Sequence, residues 1–439
     1  MIRSPIHRKV LSIAWPMIIA GASGPLLGIV DTAILGHLDS ARYLSAVAVG
    51  ASALTLVLWL LSFLRMGTTG LVARAFGQAN RQQGRQLCRE LLWQSLLLAL
   101  ALGVLLIAFQ EPLLQLILWL LGPGEGIYEV ALEYCQIRIW AAPATLCSYA
   151  AVGWLLGLQR ARQTLLIMVA TNAANIVLDF LLIIGLEMNS AGAAWASLLA
   201  EYLGLAVALW MVRRELKSLG GYVAPRQLLK LASYGQLLAV NRDLFLRTAS
   251  IVFVFTFFTA QGARLGDDTV AANAVLLQLV LLVSYGLDGF AHAAESLSGH
   301  AIGGGKIKRF YAISRACGIW GVAIATGASL AYWLFRDVIV ATFTDLPQIA
   351  ELATRYYGWV VAVPLLATLC YTLDGILLGA GRTRQMRDTM FIALLAFLAC
   401  WWLTLPWGNT GLWLAFCVFM ACRSVLMSWA FGWLSKRGW

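Results

Sequence analysis

The stretch TNAANIVLDFLLIIG, Thr171 to Gly185, decides the fold. It is apolar enough to cross a bilayer, yet it carries Asn172, Asn175 and Asp179. On a helix these three sit at i, i+3 and i+7, so they share one face. A carboxylate in hydrocarbon costs about 3 kcal/mol even on the lenient insertion scale, and intramembrane acids are functional by default. The plainer reading is that such side chains only tie helices together through hydrogen bonds.

The rest of the chain agrees with a membrane setting. Its 439 residues are 61% hydrophobic and only 12% charged, with a mean hydropathy of +0.79. Soluble domains carry about 25% charged residues. Apolar runs between polar punctuation predict an all-α polytopic membrane protein of twelve helices, at roughly 10–35, 44–72, 87–108, 130–155, 164–186, 190–212, 228–260, 270–299, 311–334, 352–378, 388–406 and 411–434. The first run lacks a small-residue cleavage pattern and is long enough to span, so it reads as a retained helix. Eight scattered cysteines and four dispersed histidines show neither metal-ligand spacing nor a disulfide framework. The net charge of +11 lies in short loops between spans, so nucleic acid is not a partner.

Every second loop is basic. Arg3, Arg81, Arg85, Arg160, Arg162, Arg226, Lys306, Lys308, Arg382 and Arg384 fall on one side, against Asp39, Glu125, Asp267, Asp268 and Asp345 on the other. The positive-inside rule places both termini in the cytoplasm. The chain also repeats itself. GHLDSARYLSAVAVG from Gly36 aligns on GARLGDDTVAANAVL from Gly262, and GWLLGLQRARQ from Gly153 on GILLGAGRTRQ from Gly375. The polar loop matches are not a product of shared apolarity. The expectation is a parallel duplication: an N-lobe over 1–217 with helices 1–6, and a C-lobe over 218–439 with helices 7–12.

Counting about 1.5 Å of rise per residue puts Asp31 about 9 Å below the outer loop, and Asp179 and Ser197 about 12 Å below it. Asn175 lies one turn deeper. Helices 1, 5 and 6 therefore place oxygens in one shallow layer. Desolvation and a like charge both oppose ionisation, so such a pair of acids can take a proton and release it when the pocket rewets. The same oxygens also suit a small hard cation. At the equivalent positions of the second half stand Phe257, Phe397, Trp401 and Phe416, aromatic faces that could receive an apolar or cationic molecule.

A second polar set lies on helices 7 and 8. Asp243 and Arg247 are i, i+4 and can pair on one face. Asp288, His292 and Glu295 share a face, either as part of a substrate path or gate or as a self-neutralising network. Arg138 on helix 4 lies near the depth of Asp31, and a permanent pair with Asp179 would compromise the proton site. Pro16 and Pro25 are expected to interrupt helix 1 and let it bend.

PLLGIVDTAILGHL with Asp31, TNAANIVLDF on helix 5, GAAWAS on helix 6 and the loop GLQRARQ together resemble the MATE family of multidrug and toxic compound extrusion transporters, especially its DinF branch. The resemblance spans essentially the whole chain. It implies a cation-coupled efflux antiporter that works by alternating access of two lobes. Amphipathic, often cationic drugs would leave while protons or Na⁺ enter. It carries the family's cation site onto Asp31, Asn175, Asp179 and Ser197. Phe257, Asp288, Glu295, Phe397 and Trp401 are substrate-path candidates on the aromatic and polar pattern above. The sodium-using branch places acids on helices 7 and 10. Asp243 and Asp374 do not match those positions clearly, which favours H⁺ over Na⁺. No cofactor and no partner beyond drug and lipid bilayer are expected, and the chain reads as a monomer. The alternative is a flippase for a lipid-linked sugar, which would favour a cationic cavity. An intramembrane enzyme is disfavoured, since neither a Gly-x-Ser-x-Gly motif nor a metal triad occurs.

Overall fold

The computed structural model describes residues 5–36, 41–124, 126–220, 228, 230–344 and 346–439. Arg3, Asp39, Glu125, Arg226 and Asp345 lie outside the described residues. Among the described residues no strand occurs, and twelve helices are long and apolar enough to cross a membrane. They are α1 Pro5–Gly36, α2 Arg42–Gly77, α3 Arg81–Ala108, α4 Ile127–Gly157, α5 Ala161–Gly185, α6 Asn189–Leu219, α7 Ala232–Arg264, α8 Asp267–Gly303, α9 Ile307–Leu334, α10 Pro347–Gly379, α11 Thr383–Leu403 and α12 Asn409–Arg437. Two shorter helices, Gln110–Leu121 and Arg336–Phe343, fill connections expected to be loops.

Helices are the economical answer to this composition, because hydrocarbon offers no partner to a backbone N–H or C=O. α1 runs unbroken through Pro16 and Pro25, which corrects the expected interruption. α4 tightens into a 3₁₀ turn at Ile139–Ala141, directly after Arg138 and just before Pro143. α5 widens into a π-helical end, Phe180–Gly185, immediately after Asp179. Large apolar side chains such as Leu26, Ile29, Trp119, Trp333, Trp402 and Trp429 are exposed, as expected of surfaces that meet lipid.

The helices sort into two compact units. The first unit comprises Ile19–Phe76 and Asn80–Asn241; the second comprises Met1–Ile18, Gly77–Ala79 and Arg242–Trp439. Both contain the same joint. In the first, α4 crosses α2 where Gly153 and Gly157 lie against Arg65, Thr69 and Val72. A Cβ on Gly157 would stand 2.7 Å from Val72 Cβ and 3.0 Å from the Thr69 carbonyl oxygen. In the second, α10 crosses α8 at Gly375 and Gly379. A Cβ there would stand 2.8 Å from the Ala291 carbonyl carbon or 2.8 Å from the Gly299 nitrogen. Small residues four apart let helix backbones touch where no hydrophobic effect drives association. The matched residues are those of the internal repeat: Gly153 with Gly375, and Arg65 with Ala291.

The second unit has a polar rivet with no counterpart in the repeat. Asn273 of α8 and Asn409 of α12 exchange side-chain hydrogen bonds at 2.7 and 3.0 Å. Trp413 Nε1 donates to Asn273 Oδ1 at 2.8 Å. All three side chains are buried, so their polar atoms satisfy one another.

Candidate functional site

α5 presents Asn172, Asn175 and Asp179 toward its neighbours in the first unit. Asp179 is 1% exposed and Asn175 is also buried. Asn172 Nδ2 donates to Ser23 Oγ of α1 at 2.8 Å, and Asn175 Nδ2 to Ser197 Oγ of α6 at 3.4 Å. Asp31 of α1 stands against Asp179, close enough for the two carboxyl groups to share a hydrogen bond. Asp31 Oδ1 and Asp179 Oδ2 are buried, with no donor within reach. The structure thus brings Asp31, Asn175, Asp179 and Ser197 together.

A cavity of about 170 Å³ opens beside them. Its walls include Asp31, Asn175, Ser197, Tyr134, Arg138 and Glu201. Arg138 Nη2 lies 3.7 Å from Glu201 Oε1, so its ion pair is with Glu201 and not with Asp179. Chemically the site offers two acids that face each other, amide and hydroxyl oxygens around them, and one cation nearby. The π-helical turn that follows Asp179 is a feature frequent at functional sites, and spacing alone did not reveal it.

The second unit is built differently. Phe257 of α7 meets Trp401 of α11 edge-on at 4.8 Å and Phe397 at 5.7 Å between centroids. Phe416 packs with Phe255 and Phe258. Where the first unit has oxygens, this one has a herringbone of rings. In place of the Asp243–Arg247 pair that the spacing allows stand two separate clusters. Asp243 accepts from Arg387 at 2.8 Å, Arg242 at 3.1 Å and Thr383 at 3.2 Å. Arg247 pairs with Asp374, which also accepts from Arg423 at 2.9 Å. One turn apart fits a pair, but side-chain direction and neighbouring helices offered each group a better partner. Arg423 is 2% exposed; a lone arginine in an apolar helix was the signal for it. His292 Nδ1 lies 3.6 Å from Glu295 Oε2, while Asp288 acts electrostatically on Tyr285 and Tyr371.

The MatE family model matches residues 16–181 and again 244–402. The chain belongs to the MATE family. The two matches start at an interval close to that of the internal repeat. This MATE protein is 44% identical to the DNA damage-inducible protein F of Escherichia coli over 420 residues, 95% of this chain and 90% of that one, which supports the DinF branch. It is 25% identical to the multidrug resistance protein MdtK of Edwardsiella ictaluri, over 98% of this chain and 96% of that one. The fold matches an outward-facing multidrug resistance MATE transporter of the MOP superfamily with a TM-score of 0.87. That match has 19% identity and covers 99% of this chain and 97% of the other. MATE proteins are multi-pass membrane transporters, not enzymes, and need no cofactor.

Proposed function

We propose that this MATE protein is a proton-coupled antiporter that exports amphipathic, often cationic compounds by alternating access. Asp31 and Asp179, with Asn175 and Ser197, carry the coupling. The observation that carries this reading is the facing pair of carboxyl groups, whose Asp31 Oδ1 and Asp179 Oδ2 are buried without a donor. Two carboxylates at this range repel in a low-dielectric setting. One shared proton removes the repulsion and supplies the missing donor. In the second unit, Asp374 already has two guanidinium partners, Arg247 and Arg423, which leaves it little to offer a hard cation. That arrangement favours H⁺ over Na⁺.

The remaining assignments follow from the same reading. By the internal repeat the lobes divide at about residue 217, ahead of the boundary between the compact units at Asn241, and both termini lie on the cytoplasmic side of a bacterial inner membrane. The working form is a monomer. Phe257, Trp401 and Asp288, which are half-buried, line the substrate path in the C-lobe, with the buried Phe397 and Glu295 behind them. The test is transport of a fluorescent cationic drug into inside-out vesicles, with ΔpH and ΔpNa imposed separately. Export should follow ΔpH and vanish in Asp179→Asn, which still folds because it loses a costly buried charge. An Asp179→Asn protein that exports at the wild-type rate removes this pair from the mechanism.

A further inference from the structure

We infer that Glu201 is the carboxylate that receives the cationic centre of the exported compound, and that Arg138 covers or uncovers it according to whether Asp31 and Asp179 hold a proton. This rests on the proton-coupled reading above. Arg138, Asp31 and Glu201 line one cavity. The Arg138–Glu201 separation of 3.7 Å exceeds that of a charge-assisted hydrogen bond, about 2.7–2.9 Å. The guanidinium is held there by charge rather than fixed by hydrogen-bond geometry. Its field also reaches Asp31, whose buried Oδ1 has no donor. One long cation therefore acts on two carboxylates, Glu201 and Asp31.

The choice follows from charge. While the aspartate pair shares a proton, each carboxyl has a partner and Arg138 stays on Glu201, the ion pair seen in the structure. When the proton leaves, two adjacent carboxylates remain, and Arg138 is the cation that lines the cavity with Asp31. Its move to Asp31 strips Glu201 of its counter-charge and leaves a bare carboxylate on the cavity wall. About 170 Å³ is below the roughly 300–1,000 Å³ of a drug pocket. The cavity therefore suits the charged head of an amphiphile, with the tail outside it. Reprotonation returns Arg138 to Glu201 and ejects the head. One proton enters for each monovalent cation that leaves, so charge balances.

The other groups that face this set do not alter the sign. Tyr134 feels Arg138, Asp31 and Asp179. Tyr149 feels Glu201, Arg65 and Arg138. An ordinary tyrosine stays neutral and an arginine charged between pH 5 and 8.

The test is equilibrium binding of a fluorescent organic monocation and of a neutral amphiphile of similar size, from pH 5.5 to 8.5, with proton release followed in weak buffer. In the wild type, the cation should bind more weakly as pH falls and displace protons, while the neutral probe stays level. Arg138→Met with Glu201→Gln removes the ion pair without leaving a buried charge alone. That double variant should bind the cation at pH 8 at least about tenfold more weakly and the neutral probe normally. Arg138→Gln leaves Glu201 uncovered, so its cation affinity should lose most of its dependence on pH; Arg138→Lys, which keeps the charge, should retain it. Wild-type cation affinity in the double variant at pH 8, or wild-type pH dependence in Arg138→Gln, overturns the inference. Absence of proton release from the wild type instead defeats the proton-coupled reading itself.

Discussion

Replacing Gly375 by alanine puts one methyl group between two helix backbones. The added Cβ would lie 2.8 Å from the Ala291 carbonyl carbon and 3.0 Å from its Cα, and nearer still to its oxygen. Ordinary contact begins near 3.4 Å. Neither partner is a flexible side chain, so α8 and α10 must part by roughly 1 Å, and a gap of that size forfeits up to about half of each contact it opens. Overpacking of this kind costs about 1–3 kcal/mol. Against it stands up to about 1 kcal/mol regained from removing a glycine within a helix. Gly327 of α9 isolates the two contributions, because a Cβ there meets nothing within 4 Å. Gly327→Ala should be neutral or slightly stabilising. The difference between the two variants is then the steric cost alone, about 1–3 kcal/mol. Thermal melting in detergent, followed by tryptophan fluorescence, should show Gly375→Ala lower by several degrees. Equal melting temperatures for the two variants would refute the claim that backbone contact at Gly375 holds α8 to α10.

Three more outcomes are expected. Cysteine introduced at Gly126 or Asp268 should react with an impermeant reagent from outside intact cells, and cysteine at Arg81 or Lys308 should not; the eight native cysteines are buried or half-buried and give little background. Trp401→Phe should change the order of preference among drugs in a transport assay more than it changes the dependence on ΔpH. Asp374→Asn should destabilise the protein by about 3–5 kcal/mol, because it leaves Arg247 and Arg423 buried without their acid; Arg423→Met leaves a one-to-one pair, and its smaller loss in the same melting assay checks the asymmetry.

Much of this architecture can be read from spacing and charge. Membrane helices are long, their period is constant, and basic loops mark alternate ends. That is enough to bring Asp31, Asn175, Asp179 and Ser197 to one layer from three separate helices. What could not be read is rotation and reach. Asp243 and Arg247 have ideal spacing for each other, yet Asp243 turns to Arg387 and Thr383, and Arg247 to Asp374. Those partners lie more than 120 residues away, and no local pattern encodes their approach. Arg138 presented the same difficulty: its depth, near that of Asp31, left a pair with Asp179 open, while in the structure it stands against Glu201 of α6, just before a 3₁₀ turn. The π-helical end of α5 was equally hidden. A wider turn rises less per residue, so a depth counted at α-helical pitch from Glu187 overstates how far Asp179 lies from the surface.

The glycine joints explain how a duplicated chain can drift without coming apart. At Gly153, Gly375 and Gly379 the glycine meets main-chain atoms of the opposite helix, which every amino acid possesses; at Gly157 it meets the Val72 side chain first. Away from Val72, the side chain on the receiving helix is therefore free to change. Arg65 in the first unit corresponds to Ala291 in the second, and Thr69 to Glu295, a cation for a methyl and a hydroxyl for an acid, while the crossing persists at all four glycines. The mutational tolerance of the two helices is thus lopsided: severe on α4 and α10, permissive on α8 and, except at Val72, on α2. New polar groups such as Glu295 could accumulate beside the crossing during divergence while the helices that carry them stayed joined.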